Sequence, residues 1–259
     1  MNLGIAGRSA IVCASTRGLG LACAEALLAE GVNVTINGRD LSRLRATADR
    51  LSRTWPARVN AVAADLATRA GRDALFAACA GPDILVTNGS GPDPGEFFSF
   101  DEACWIEALN GGMIAPLMLI QRALPAMQAR KFGRIVNITS AMVTTPRPKM
   151  ALSSGARAGL VAAVKGVLME AAKDNVTINN LAPERFDTDR QVAMAERLMA
   201  EEVLSWDQAR ARQVEGIPAK RLGRPAEFGA TCAFICSEQA AYMTGMNIRL
   251  DGGSYPALL

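Results

Sequence analysis

The stretch Ile11-Val12-Cys13-Ala14-Ser15-Thr16-Arg17-Gly18-Leu19-Gly20-Leu21-Ala22 constrains this chain more than any other. Residues 9–12 form a short, largely apolar run with the look of a buried strand, and the run breaks into a turn at Gly18 and Gly20. Leu19, Ala22, Leu27 and Leu28 then describe a helix packed on a sheet. A helix that opens from a glycine turn presents unpaired N–H groups and the positive end of its dipole, which together attract phosphate. The same spacing also occurs in ordinary strand–helix turns. Ala14 stands where a dinucleotide fingerprint has its first glycine, and alanine fits there provided its φ stays negative.

The remaining chain repeats the strand–helix alternation. Strands are expected at 32–37, 58–64, 83–87, 133–138, 176–181 and 247–250. Helices are expected at 41–51, with Asp40 as N-cap, and at 68–79, 100–127, 152–173 and 225–237. The helix over 100–127 is interrupted only by Gly111-Gly112 and Pro116. No composition break or linker divides the sequence. The pattern therefore implies an α/β fold in one domain spanning 1–259: a doubly wound parallel sheet with helices on both faces. Ligands of such a sheet bind at the carboxyl ends of its strands.

Composition excludes several functions. A net charge of +3, without a long Lys/Arg run, gives no footprint for nucleic acid. The chain has no histidine, and its six cysteines (Cys13, Cys23, Cys79, Cys104, Cys232, Cys236) form no CxxC pair. A His-based triad is impossible, and no metal site is expected. Reduced, mostly buried thiols suit a cytoplasmic protein. The N-terminus lacks a basic region followed by an apolar core, so no signal peptide is expected. The longest apolar stretch, 159–172, carries Lys165 and Glu170 and is too short to span a bilayer.

From Ile11 to Gly253 the landmarks together resemble the short-chain dehydrogenase/reductase family, and within it the 3-oxoacyl-[acyl-carrier-protein] reductases. The C-terminal segments Ile217-Pro218-Ala219-Lys220-Arg221-Leu222-Gly223-Arg224-Pro225, Tyr242-Met243-Thr244-Gly245 and Leu250-Asp251-Gly252-Gly253 carry much of the likeness. The resemblance implies a Rossmann-type, nucleotide-binding oxidoreductase. The pyrophosphate would lie over Ala14, Ser15, Gly18, Leu19 and Gly20. Asp65 and Leu66 would meet the adenine, and Asn88 would steady the fourth strand beside the cofactor. Thr188, after Pro183, would bind the nicotinamide carboxamide. The second strand ends in Asn37-Gly38-Arg39 where an acidic residue would select NAD. Arg39 and Arg17 instead favour the 2′-phosphate of NADP.

The family reduces a carbonyl with an Asn, a Ser, a Tyr and a Lys. Asn110 and Ser140 match the first two. Aligning Ala158-Gly159-Leu160 with the family helix puts Ser153 at the Tyr position and Arg157 at the Lys position. A serine hydroxyl is far more reluctant than a phenol to give up its proton, and arginine is no proton relay. Three readings follow. Ser140, Ser153 and Arg157 polarise the carbonyl while water or a substrate group donates the proton; or Lys149 or Glu184 substitutes as the acid; or the protein binds NADP without turnover, as a sensor or assembly partner. Lys149 otherwise reads as a solvated loop charge and Glu184 as a partner of Arg185. An active but atypical ketone or 3-oxoacyl reductase is the leading expectation.

Residues 187–216 stand where the family has its substrate lid. They carry Met194, Leu198, Met199, Val203, Leu204 and Trp206 at roughly helical spacing beside Arg190, Arg197, Arg210 and Arg212. An amphipathic helical pair packed on the sheet is the expected structure. A methionine-rich pocket for an anionic ketone is the sharper alternative. The family's helices matching 100–127 and 152–173 form dimer interfaces within tetramers, so a homodimer or homotetramer is implied by resemblance.

Overall fold

A computed structural model of the chain describes every residue except Ser90 and Leu259. Ser90 belongs to the loop expected after the fourth strand and lies outside the described residues. Seven strands form one wholly parallel sheet: β1 Ser9–Val12, β2 Asn33–Gly38, β3 Val59–Ala63, β4 Ile84–Thr87, β5 Gly133–Ile138, β6 Val176–Pro183 and β7 Asn247–Leu250. Their spatial order is β3-β2-β1-β4-β5-β6-β7, so the winding reverses between β1 and β4. That reversal opens a crevice at the strands' carboxyl ends, where ligands of such sheets bind.

Nine α-helices flank the sheet among the described residues: α1 Gly18–Ala29, α2 Leu41–Thr54, α3 Arg69–Ala78, α4 Glu102–Leu109, α5 Ala115–Ala129, α6 Ala151–Ala171, α7 Asp189–Glu202, α8 Trp206–Val214 and α9 Pro225–Ile235. The alternation of strand side chains divides the core in two. Val12, Val34, Ile36, Val86 and Val136 pack on the α1, α2 and α9 side with Leu27, Leu44 and Phe228. Ile11, Leu85, Ile135 and Ile178 point the other way, onto Leu75, Leu119, Ile120 and Leu160 of α3, α5 and α6. The doubly wound α/β fold expected from the sequence is the fold observed.

The helix expected over 100–127 is not continuous. After α4 the chain takes one π turn, Asn110–Ile114, before α5, and the Ala115 N–H donates to the Asn110 carbonyl five residues back. Two adjacent glycines weaken the ordinary ladder here, and Pro116 follows in the first turn of α5, where a missing N–H is harmless. Asp40 caps α2 as expected, its Oδ1 accepting from the Arg43 N–H at 3.0 Å.

A polar ladder crosses the sheet interior. Thr87 Oγ1 donates to Asn137 Oδ1 at 2.7 Å, Asn137 Nδ2 to Asn180 Oδ1 at 2.9 Å, and Asn180 Nδ2 to Asn247 Oδ1 at 2.9 Å. Each pair is also in backbone register. A slip of any of these strands would leave buried amides unpaired, so the ladder specifies register as well as adding stability. Asn137→Ala, which orphans partners on both sides, is expected to lower unfolding free energy by about 1–3 kcal/mol in urea titration. A change below a few tenths would show that the ladder contributes nothing.

Candidate active site

The glycine turn is clamped from two sides. Asn37 Oδ1, at the end of β2, accepts from the Ala14 N–H at 3.3 Å, and Asn88 Nδ2, after β4, donates to the Ala14 carbonyl at 3.2 Å. Ser15 is buried, its Oγ donating to the Val12 carbonyl and accepting from the Asn37 N–H. The clamp corrects the expectation for Ala14. Its φ is +45°, in the left-handed region, because both of its backbone polar groups are held by amides on neighbouring strands. Asn37 also donates to the Val62 and Ala64 carbonyls of the β3 end. Its clamping role was not read from the sequence, where it marked only the absence of an acid.

A Cβ on Gly20 would lie 2.5 Å from the Ala14 carbonyl oxygen and 2.7 Å from Asn88 Nδ2, so only glycine lets the helix start this close to the turn. Gly18 has φ +58°, and a Cβ there would meet Thr188 Cγ2 at 3.8 Å. The N-termini of α1 and α7 thus approach each other, and no side chain caps either one. Leu19, in the first turn of α1, packs partly buried against the core. Arg17 reaches across to Asp189 at 3.5 Å, both exposed. Arg39 is exposed just beyond β2. Asp65 is exposed beyond β3, where its Oδ1 accepts from the Ala67 N–H at 3.0 Å, and Leu66 beside it is half-buried. Pro183 closes β6 and is buried.

Across the crevice, Arg157 of α6 lines a cleft with Asn88, Gly89, Gly91, Gly112 and Ala156. The π turn brings Gly111 and Gly112 to this wall, and Gly112 packs so closely on α6 that a Cβ would lie 2.9 Å from that of Ala156; Asn110 opens the turn and is half-buried. Arg157 donates a hydrogen bond to the buried Ser153 Oγ one turn back. Burial, with Arg190 as a second cause, pushes the Arg157 guanidinium down to about 10, so it is still cationic at neutral pH. Ser140 ends the β5 run and accepts from the Met142 N–H at 3.2 Å, capping a short turn.

The two substitute acids lie elsewhere in the hydrogen-bond map. Lys149 is exposed in a loop at φ +67° and pairs with Glu96 at 2.9 Å. Glu184 has a side chain only 4% exposed, against Arg147 at 2.7 Å and Arg185 at 3.7 Å. Arg185 was the expected partner; Arg147, which ties in the loop before α6, was not. Of the chain's two tyrosines, Tyr242 is fully exposed, and Tyr255 lies under the Arg249 guanidinium.

The 187–216 segment is a helical pair, α7 and α8, as expected. Gln213 Nε2 donates to the Gln191 carbonyl at 2.8 Å and Arg210 pairs with Asp187 at 2.6 Å, holding the two together. Val203 departs from the apolar face proposed for it. It is the C-cap of α7, at φ +53° and 91% exposed.

The chain belongs to the short-chain dehydrogenase/reductase family. A family described as enoyl-(acyl carrier protein) reductase matches residues 13–255. The NADPH-dependent reductase BacG of Bacillus subtilis is 31% identical over 260 residues, covering 97% of this chain and 99% of that protein. The 3-oxoacyl-[acyl-carrier-protein] reductase FabG of Aquifex aeolicus is 29% identical, covering 98% and 100%. Among solved structures, L-sorbose reductase from Gluconobacter frateurii, complexed with NADPH and L-sorbose, superposes with a TM-score of 0.95 over the whole of both chains at 29% identity.

Glu184 joins the loop before α6 to the end of α8, since Arg185 also donates to the Gln213 carbonyl. Glu184→Gln is expected to speed amide hydrogen exchange in 144–150 and 185–213 while leaving β4 and β5 protected. Unchanged exchange in both segments would show that the ion cluster does not hold them.

Proposed function

We propose that this protein is an NADPH-dependent reductase of ketones or 3-oxoacyl-like substrates with an atypical proton-donor site. The observation that carries the reading is the cradle at Gly18 and Gly20. Two uncapped helix N-termini meet there, and the Gly20 position has no room for a side chain. Such a cradle fits a dinucleotide pyrophosphate. Ala14, Ser15, Gly18, Leu19 and Gly20 would hold it, Asp65 and Leu66 the adenine end, and Asn88, Arg157, Pro183 and Thr188 the nicotinamide half. Arg39 and Arg17 would read the 2′-phosphate, Arg17 turning from Asp189 to do so. The NADPH dependence named for BacG and the NADPH in the sorbose reductase complex support this cofactor over NADH.

When bound, the nicotinamide supplies hydride to the substrate carbonyl carbon. This chain's own residues polarise the carbonyl. Ser140 and Ser153 offer hydroxyls, and the Arg157 guanidinium, oriented by its bond to Ser153, stabilises the developing oxyanion as a fixed cation. Arginine holds its proton, so the proton comes from water or from the substrate. Glu184 is committed to its two arginines and Lys149 to Glu96, which leaves neither as the acid. Asn110 would fix the π turn that shapes the wall facing Arg157.

The Ser153–Arg157 bond also favours a second reading, in which NADPH is bound without turnover and the protein acts as a sensor or assembly partner. The segment 187–216 would serve as the lid in either case. Helical stretches Glu102–Ala129 and Ala151–Asp174 are long and apolar enough to cross a membrane by length and composition. Both, however, are threaded between strands of one sheet. Exposed Ile106, Ile114 and Met118 on the first stretch and Met169 on the second support burial against a second copy, as a homodimer or homotetramer. Six free cysteines support a cytoplasmic setting.

NADPH and NADH titrations followed by fluorescence, then a screen of ketones and 3-oxoacyl thioesters, separate the readings. NADPH binding with turnover supports the reductase, and binding without turnover supports the sensor. Failure to bind either nucleotide overturns both. Arg39→Asp is expected to weaken NADPH at least tenfold more than NADH; equal losses would remove Arg39 from the 2′-phosphate site. Restoring the family pair in Ser153→Tyr/Arg157→Lys is expected to raise kcat by about 10²-fold and to introduce a new limb in the pH–rate profile. An unchanged profile would show that another group already donates the proton.

A further inference from the structure

Arg157 is not the only guanidinium over the cleft. A Cβ built on Gly91 would lie 3.1 Å from Arg157 Nη2, 3.2 Å from Arg157 Nη1 and 3.3 Å from Arg190 Nη1. The two cations thus converge on one glycine, one from α6 and one from the first turn of α7. Arg190 Nη2 donates to the Pro92 carbonyl at 3.3 Å, and Arg157 Nη1 donates to Ser153. Among the described residues, neither guanidinium makes a salt bridge to a carboxylate, whereas Arg17 has Asp189. Like charges this close repel; Arg157 lines the cleft, and Arg190 approaches it from an exposed position.

We infer that Arg157 and Arg190 form a carboxylate clamp, and that the substrate is a short oxo acid whose carboxylate they bind beside the reacting carbonyl. This rests on the reductase reading and names its substrate class. Three observations support it. A planar guanidinium pairs two oxygens of a carboxylate in one plane, and two such groups on either side of the glycine can share one anion. The cleft is lined beside Arg157 by Gly89, Gly91 and Gly112, whose lack of side chains lets a ligand group approach the guanidinium. Finally, Arg157 Nη1 donates to Ser153 while both Nη1 and Nη2 lie within 3.2 Å of the Gly91 Cβ position, so Ser153 and the arginine pair border one small space. A carbonyl placed at Ser153 and a carboxylate placed at the pair must then be close in the substrate, as they are in a 2-oxo or 3-oxo acid. Gly91 is required because any side chain there would push the two cations apart.

The test is isothermal titration of acetoacetate and of methyl acetoacetate, which share the ketone and differ in charge, into the protein with and without NADPH. The wild type is expected to bind acetoacetate at least tenfold more tightly than the ester. Arg190→Gln, at an exposed position, is expected to abolish that preference while changing NADPH affinity less than twofold. Gly91→Ala is expected to reduce the preference in the same sense. Equal affinity for acid and ester in the wild type overturns the clamp. So does an Arg190→Gln protein that keeps the preference but loses NADPH affinity tenfold, since the guanidiniums would then serve a cofactor phosphate. The nucleotide-free titration separates the two claims: acid preference without any NADPH binding upholds the clamp and overturns the reductase reading.

Discussion

The hydrogen-bond ladder from Thr87 through Asn137 and Asn180 to Asn247 holds four parallel strands in one register. Parallel strands have no hairpin to set their alignment, and their apolar faces alone tolerate a two-residue slip. Buried amides do not, because each would lose its partner in a medium without water. Every side chain at the crevice on this half of the sheet depends on that alignment. Asn88 follows β4 by one residue, Ser140 follows β5 by two, and Pro183 ends β6. A slip would carry them away from the α1 turn and from Arg157 together.

The other half of the site rests on backbone strain that the same kind of side chain maintains. Ala14 is held at positive φ, at a cost of about 1–2 kcal/mol for a non-glycine residue. Asn37 and Asn88 make that conformation the one that satisfies both its N–H and its carbonyl. The strain turns the chain sharply enough for α1 to begin against β4, and the tight approach of Gly20 to Ala14 follows from it. Amides from two strands thus do for the phosphate cradle what the polar ladder does for the sheet.

Charge decides what the crevice can do. Arg157 lines the cleft, and Arg190 of α7 approaches it at Gly91. In the proposed reading this makes a site of fixed positive charge, since arginine keeps its proton. Buried Glu184, which could have offset that charge, is turned toward Arg147 and Arg185 instead. It stabilises the loop that precedes α6 and leaves the cleft cationic. The proposed oxyanion stabilisation and the proposed recognition of an acidic substrate would draw on the same feature.

The sequence by itself determined the architecture, the family and the choice of NADP. Period-two apolar runs alternating with helical ones are local patterns, and the glycine turn, Asp40 as a cap and the ordered landmarks to Gly253 are legible one window at a time. It also determined that no histidine could serve as the acid. Only tertiary structure decided the rest, because those features join residues far apart in the chain. The sign of φ at Ala14 depended on amides 23 and 74 residues away. The partner of Glu184 came from the loop before α6, and the π turn at Asn110 formed where glycines met the wall of α6. Arg190, read from its sequence as one cation of an amphipathic lid, became the neighbour of Arg157 through Gly91. Local chemistry names such groups, but their distances are set by packing.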